Sequence, residues 1–187
     1  SRRRHTQLRR DWSSDVCSSD LTVGGGIRSL DDMSELLNAG ADKVSINSAA
    51  LKNPNLLNEA SRKFGAQCIV LAVDVKFTGR SWNVHSHGGS KPLNVDAIQW
   101  IKEGEDRGAG EILLTSMDAD GTQSGIDLVI TQTVSQQSSI PVIASGGIGT
   151  LEHFKDAFEI GRADAVLAAS VFHRDILPIP KVKNFLK

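Results

Sequence analysis

The segment Ile140-Pro-Val-Ile-Ala-Ser-Gly-Gly-Ile-Gly149 is an apolar run closed by a glycine turn, with helical spacing resuming at Leu151. It reads as a strand that feeds a helix through a phosphate cradle. Glycines let backbone N–H groups come close to an anion, and the start of a helix adds a favourable dipole. The same device stands earlier, in Thr22-Val-Gly-Gly-Gly-Ile27.

The likeness of the two stretches extends past the glycines. With Gly25-Gly-Ile27 laid over Gly146-Gly-Ile148, Leu30 falls on Leu151 and Gly40 on Gly161. One inserted residue, Arg162, then brings Ala41-Asp42, Val44 and Ser48 onto Ala163-Asp164, Val166 and Ser170. An internal repeat of about 121 residues is too long for a solenoid, whose units run roughly 20 to 50 residues. It fits a fold of two similar halves.

The chain has 187 residues, 40% hydrophobic and 23% charged, enough to bury one substantial core. A net charge of −1 gives no field to gather nucleic acid or a membrane surface. No stretch reaches the roughly 18 apolar residues of a membrane span. The expected partners are therefore small molecules or another protein, with no nucleic acid and no membrane, and the expected location is cytoplasmic. Cys17 and Cys68 lack metal-ligand spacing, which suits a reducing compartment.

Residues 1–20 share neither the periodicity nor the composition of the remainder of the chain. Five arginines in the first ten residues allow a solvated basic arm, and Asp11, Asp15 and Asp20 argue against a transit peptide. The preferred reading is a foreign or disordered leader ahead of a truncated reading frame, with the domain running over 21–187. From Leu21 the pattern is regular. Ser29 caps a helix that ends at Gly40; Lys43–Ile46 is a strand; Pro54 to Phe64 is a helix; Cys68–Val73 is an apolar strand buried on both faces. Trp82-Asn-Val-His-Ser-His87 alternates at period two between glycines, predicting a small antiparallel excursion able to act as a lid. Helix is expected over 95–107, 127–134, 151–160 and 179–186, and strand over 111–115, 141–144 and 165–168.

Strand and helix alternate six times. Right-handed crossovers turn such a chain into a parallel sheet with helices outside. The dinucleotide fingerprint of a doubly wound sheet fails, because Gly24-x-Gly26 is followed by Ser29 rather than a third glycine. An eight-unit barrel needs about 250 residues, and 167 follow the leader. The expected architecture is thus an α/β chain: an incomplete (β/α)8 TIM barrel of about six βα units, strands 3 to 8.

In a barrel the chemistry gathers at the C-terminal ends of the strands. Asp74 directly follows the most apolar strand, placed either for acid–base work or simply to cap a turn. The loop Thr115-Ser-Met-Asp-Ala-Asp-Gly-Thr122 offers Asp120 for substrate hydroxyls and the Gly121 N–H for phosphate, and its spacing rejects calcium. Strand alternation from Asn47 turns Ser45 and Lys43 inward, and from Thr115 it turns Leu113 and Glu111 inward. Lys43 and Glu111 should then pair on the barrel floor, as a structural plug or as a gate. His85 and His87 share a parity, so one is placed to contact substrate, although solvated loop histidines are the plainer reading. No metal or other cofactor is expected.

From Leu21 onward the motifs Thr-Val-Gly-Gly-Gly-Ile, Gly-Ala-Asp-Lys-Val-Ser-Ile-Asn-Ser-Ala-Ala, Gly-Ala-Gly-Glu-Ile-Leu-Leu-Thr-Ser-Met-Asp-Ala-Asp-Gly-Thr and Ala-Ser-Gly-Gly-Ile-Gly resemble the cyclase subunits of imidazole glycerol phosphate synthase, of histidine biosynthesis. The resemblance implies a barrel that takes ammonia from a glutaminase partner subunit and acts on a bisphosphorylated ribotide, the phosphoribulosyl-formimino derivative of aminoimidazole carboxamide ribotide. It implies that Asp74 is one of two acid–base aspartates. One phosphate site is matched by Gly26, Asn47 and Ser48, and the other by Gly121, Gly147, Ala169 and Ser170. Thr115 and Asp120 are matched to substrate binding, and Lys43 and Glu111 to the ammonia gate. The family's other aspartate belongs to a first strand absent from this pattern, so impaired activity is expected. The sister ribotide isomerase barrel and a non-catalytic phosphosugar-binding partial barrel remain as alternatives.

Overall fold

The computed structural model describes residues 20–187. Apart from Asp20, the expected leader lies outside the described residues. The strands are β1 (Thr22–Gly24), β2 (Lys43–Ile46), β3 (Ile69–Phe77), β4 (Trp82–Ser86), β5 (Lys91–Asp96), β6 (Glu111–Ser116), β7 (Val142–Ser145) and β8 (Ala165–Leu167). The helices are α1 (Leu30–Ala39), α2 (Ser48–Lys52), α3 (Asn55–Phe64), α4 (Ala97–Asp106), α5 (Leu128–Gln137), α6 (Leu151–Glu159), α7 (Ser170–His173) and α8 (Ile179–Phe185). Six strands pair in parallel in the order β1-β2-β3-β6-β7-β8, with β4 and β5 standing off β3 as an antiparallel pair. This is the sheet of an incomplete (β/α)8 barrel, with helices between its strands.

Alternation along β3 explains how the sheet is covered. Ile69, Leu71, Val73 and Val75 are fully buried beneath the helices, while Ala72 and Asp74 belong to the other parity and are half-buried. The main core joins these residues to Met33, Leu57, Ile112, Leu114 and Ile130. A second cluster gathers Ala144, Ile148, Phe154, Ala157, Val171 and Val182 around β7, α6 and α7.

The internal repeat has a structural counterpart. Asp42 Oδ2 accepts the Leu21 N–H at 2.9 Å, and Asp164 Oδ2 accepts the Val142 N–H at the same distance. Each Ala-Asp turn thereby ties the start of its strand to the start of the preceding one. Gly40 caps α1 with φ 115°, and in the second half the inserted Arg162 takes the left-handed conformation at φ 56°. Ser29 and Asp32 form a reciprocal capping box on α1.

Three expectations are corrected. Cys68 belongs to a 3-10 turn, Ala66–Cys68, and β3 runs three residues past Asp74, because its second half finds an antiparallel partner in β4. Val95 and Asp96 end β5 rather than begin a helix; Asp96 accepts the Gln99 N–H at 3.0 Å and so caps α4. The short helices α2 and α7 were not expected. They follow β2 and β8 at matching positions, starting at Ser48 and Ser170.

Candidate functional site

Parallel pairing brings the C-terminal ends of β1, β2, β3, β6, β7 and β8 to one face of the sheet. On that face a cleft of about 1070 Å³ is lined by Gly25, Gly26, Asn47, Ser48, Asp74 and His87, among others. Four residues singled out from the sequence, Gly26, Asn47, Ser48 and Asp74, therefore meet in one cavity. Thr115 stands beside Asp74 in the β3–β6 register and beside Ser145 in the next. Asp120, Gly121, Gly147, Ala169 and Ser170 are not part of the cleft lining; the first four occupy loops that follow β6, β7 and β8, and Ser170 begins α7.

Asp74 and Asn47 form the polar centre. Asn47 Nδ2 donates to Asp74 Oδ2 at 3.0 Å. With the amide nitrogen turned to the carboxylate, Asn47 Oδ1 is left buried without a protein donor. An unmet buried acceptor costs roughly 1–3 kcal/mol, and a substrate hydroxyl or amide N–H would relieve it. Burial pushes the Asp74 carboxyl above the ordinary 3.8; the Gly89 N–H pulls it back, Asp120 raises it again and His85 lowers it. A carboxyl whose charged form is disfavoured by burial suits proton donation and return.

The two glycine turns differ. Gly25 and Gly26, at φ 88° and 76°, have open space where a Cβ would stand. That space is the wall of the cleft. Gly147, at φ 98°, presses against the β6–α5 loop, so that a Cβ there would lie 2.0 Å from the Gly125 carbonyl oxygen. The Gly125 N–H donates to the Gly147 carbonyl at 2.8 Å, which locks the two segments together. Gly121, at φ 75°, is open in the same way as Gly25.

At the opposite ends of the strands, Lys43 begins β2 and Glu111 begins β6. Lys43 Nζ is paired with Glu111 Oε1, their side chains 21% and 18% exposed. Among the described residues, no group of three or more His, Cys, Asp and Glu side chains is arranged to hold a metal ion. No helix among them is long and apolar enough to cross a membrane.

The plainer reading of His85 as a solvated loop histidine is corrected: it is 8% exposed, opposite Asp74 on β4. Two further contributors went unnoticed in the sequence. Asp118 Oδ2 accepts the Phe77 N–H at 2.8 Å. Asp127 Oδ2 accepts from Trp82 Nε1 at 3.3 Å and from Ser116 Oγ at 3.2 Å. These two acids clasp the hairpin to the β6–α5 loop. The period-two pattern at 82–87 signalled a hairpin, but nothing in it signalled where the hairpin would fold.

Residues 3–178 match the family model described as histidine biosynthesis protein. Over 165 residues the chain is 56% identical to imidazole glycerol phosphate synthase subunit HisF of Cytophaga hutchinsonii, covering 88% of this chain and 66% of that relative. The chain thus spans just under two thirds of the relative's length.

Proposed function

This chain belongs to the histidine biosynthesis protein family, and we propose that it carries the cyclase chemistry of imidazole glycerol phosphate synthase. The substrate is the phosphoribulosyl-formimino derivative of aminoimidazole carboxamide ribotide, with a phosphate at each end. Ammonia condenses with the ribulosyl ketone with loss of one water. The new nitrogen closes onto the formimino carbon, and aminoimidazole carboxamide ribotide leaves, giving imidazole glycerol phosphate. Each of these steps moves a proton, and Asp74 supplies or accepts it.

The observation that carries the reading is the Asp74–Asn47 pair, set in the cleft beside the open turn at Gly25 and Gly26. Gly26, Asn47 and Ser48 hold one phosphate; Gly121, Gly147, Ala169 and Ser170 hold the other; Thr115 and Asp120 meet substrate between them. The Lys43–Glu111 pair at the far ends of the strands supports a gate through which ammonia passes from a docked glutaminase subunit. It also favours the cyclase over the sister isomerase, which lacks such a pair. The protein acts in the cytoplasm, without a cofactor.

Mixing the 187-residue chain with the ribotide and ammonium tests the reading. Ammonium-dependent release of aminoimidazole carboxamide ribotide is expected at an impaired rate, falling a further ~10²–10⁴-fold in Asp74→Asn. Isomerisation without ammonium consumption would favour the sister enzyme, and saturable binding without turnover would favour a binding module.

A further inference from the structure

We infer that His85 is a positioning residue for Asp74, acting through the turn of the β4–β5 hairpin. The register of β3 with β4 sets His85 directly opposite Asp74. Opposed residues of an antiparallel pair share a face, with Cβ atoms about 4.5–5.5 Å apart. The imidazole is buried, and its Nδ1 lies 2.8 Å from the Gly89 carbonyl oxygen. A carbonyl only accepts, so Nδ1 carries the proton and the tautomer of the neutral ring is fixed.

Gly89 is the link. Its carbonyl is held by His85, and its backbone acts on the Asp74 carboxyl, favouring the charged form. Its φ of 79° strains any side chain, and a Cβ there would also have to push aside the end of the Met117 side chain, 2.1 Å away at Cε. The turn is closed on itself by Ser90 Oγ, which donates to the His87 carbonyl at 2.8 Å. Its other end reaches the phosphate side of the cleft, where the His87 N–H donates to Ser48 Oγ at 3.1 Å. One four-residue turn is therefore bonded to the cradle residue Ser48 and to His85, the strand neighbour of Asp74, and His85 is the side chain that fixes it. Without that hydrogen bond, Gly89 is no longer tied to the strand that faces Asp74.

The titratable groups around Asp74 are His85 on β4 and Asp120 on the β6–α5 loop, with Arg28, Lys52, His87 and Lys91 lining the cleft. The catalytic meaning of the inference rests on the proposed function, but its geometry does not, and the experiment separates the two. In the full chain, nitrogen NMR should show His85 protonated at Nδ1, and the Gly89 amide proton should titrate together with the Asp74 carboxyl carbon. In His85→Leu that joint titration should disappear, and kcat should fall about ten-fold or more with KM little changed. His85→Gln, whose side-chain amide still donates to the Gly89 carbonyl, should restore both. A wild-type His85 protonated at Nε2 alone would overturn the inference, as would a Gly89 titration unchanged in His85→Leu or a His85→Gln no better than His85→Leu. If Asp74→Asn leaves turnover intact, the proposed function fails, while the Gly89 measurement still decides the role of His85.

Discussion

Asp74 is destabilised as an anion by burial and by the nearby Asp120 charge, against the smaller opposition of Gly89 and His85. Between its ordinary value of 3.8 and its raised folded value, the folded chain binds more protons than the unfolded one. Stability therefore falls as pH rises through that window. Asp74→Asn removes the penalty while keeping a side chain of the same shape. In urea titrations the variant should be at least as stable as the parent at neutral pH, the difference vanishing as pH drops below the window. A variant less stable at neutral pH would contradict this account of the site. Asp74 itself was legible, since it closes an apolar strand in a barrel-like pattern. The burial of His85 was not, because it depends on β3 continuing past Asp74 to pair with β4.

The two glycine turns read alike as sequence, yet they are different elements. The difference comes from the β6–α5 loop, whose Gly125 carbonyl packs on Gly147 and on nothing comparable at Gly26. Gly25→Ala meets open space and carries only the cost of a left-handed backbone, about 1–2 kcal/mol. Gly147→Ala adds a clash with backbone, and its loss of stability should clearly exceed that of Gly25→Ala. Chemical denaturation of the two variants tests the ordering, and equal losses would refute it. The longer elements were visible from periodicity and from caps such as Ser29. The helices α2 and α7 escaped notice because five and four residues are too few to display a helical period. The same holds for Asp118 and Asp127, whose partners, the Phe77 N–H and Trp82, lie about 40 residues away in sequence.

At the scale of the whole molecule, the six parallel strands end at β1 on one side and β8 on the other, and among the described residues neither edge has a further partner. Exposed Leu167, Ile176 and Ile179 cluster at or just beyond β8 in the chain. Unpaired edges beside apolar side chains favour association with a second copy. Sedimentation of the chain should show a mass that rises with concentration, and a monomer at all concentrations would argue against it. The repeat that revealed the architecture also bears on the substrate, because it sets one glycine turn at the end of β1 and its counterpart at the end of β7, on the same face of the sheet. The central claim is that one ribotide spans both turns. Calorimetric titration of the chain with the bisphosphorylated ribotide, beside the monophosphorylated aminoimidazole carboxamide ribotide, tests it most directly. A single site should appear, with the bisphosphate bound about 100-fold or more tighter, a difference of about 2.7 kcal/mol. Equal affinities for the two compounds would contradict the claim.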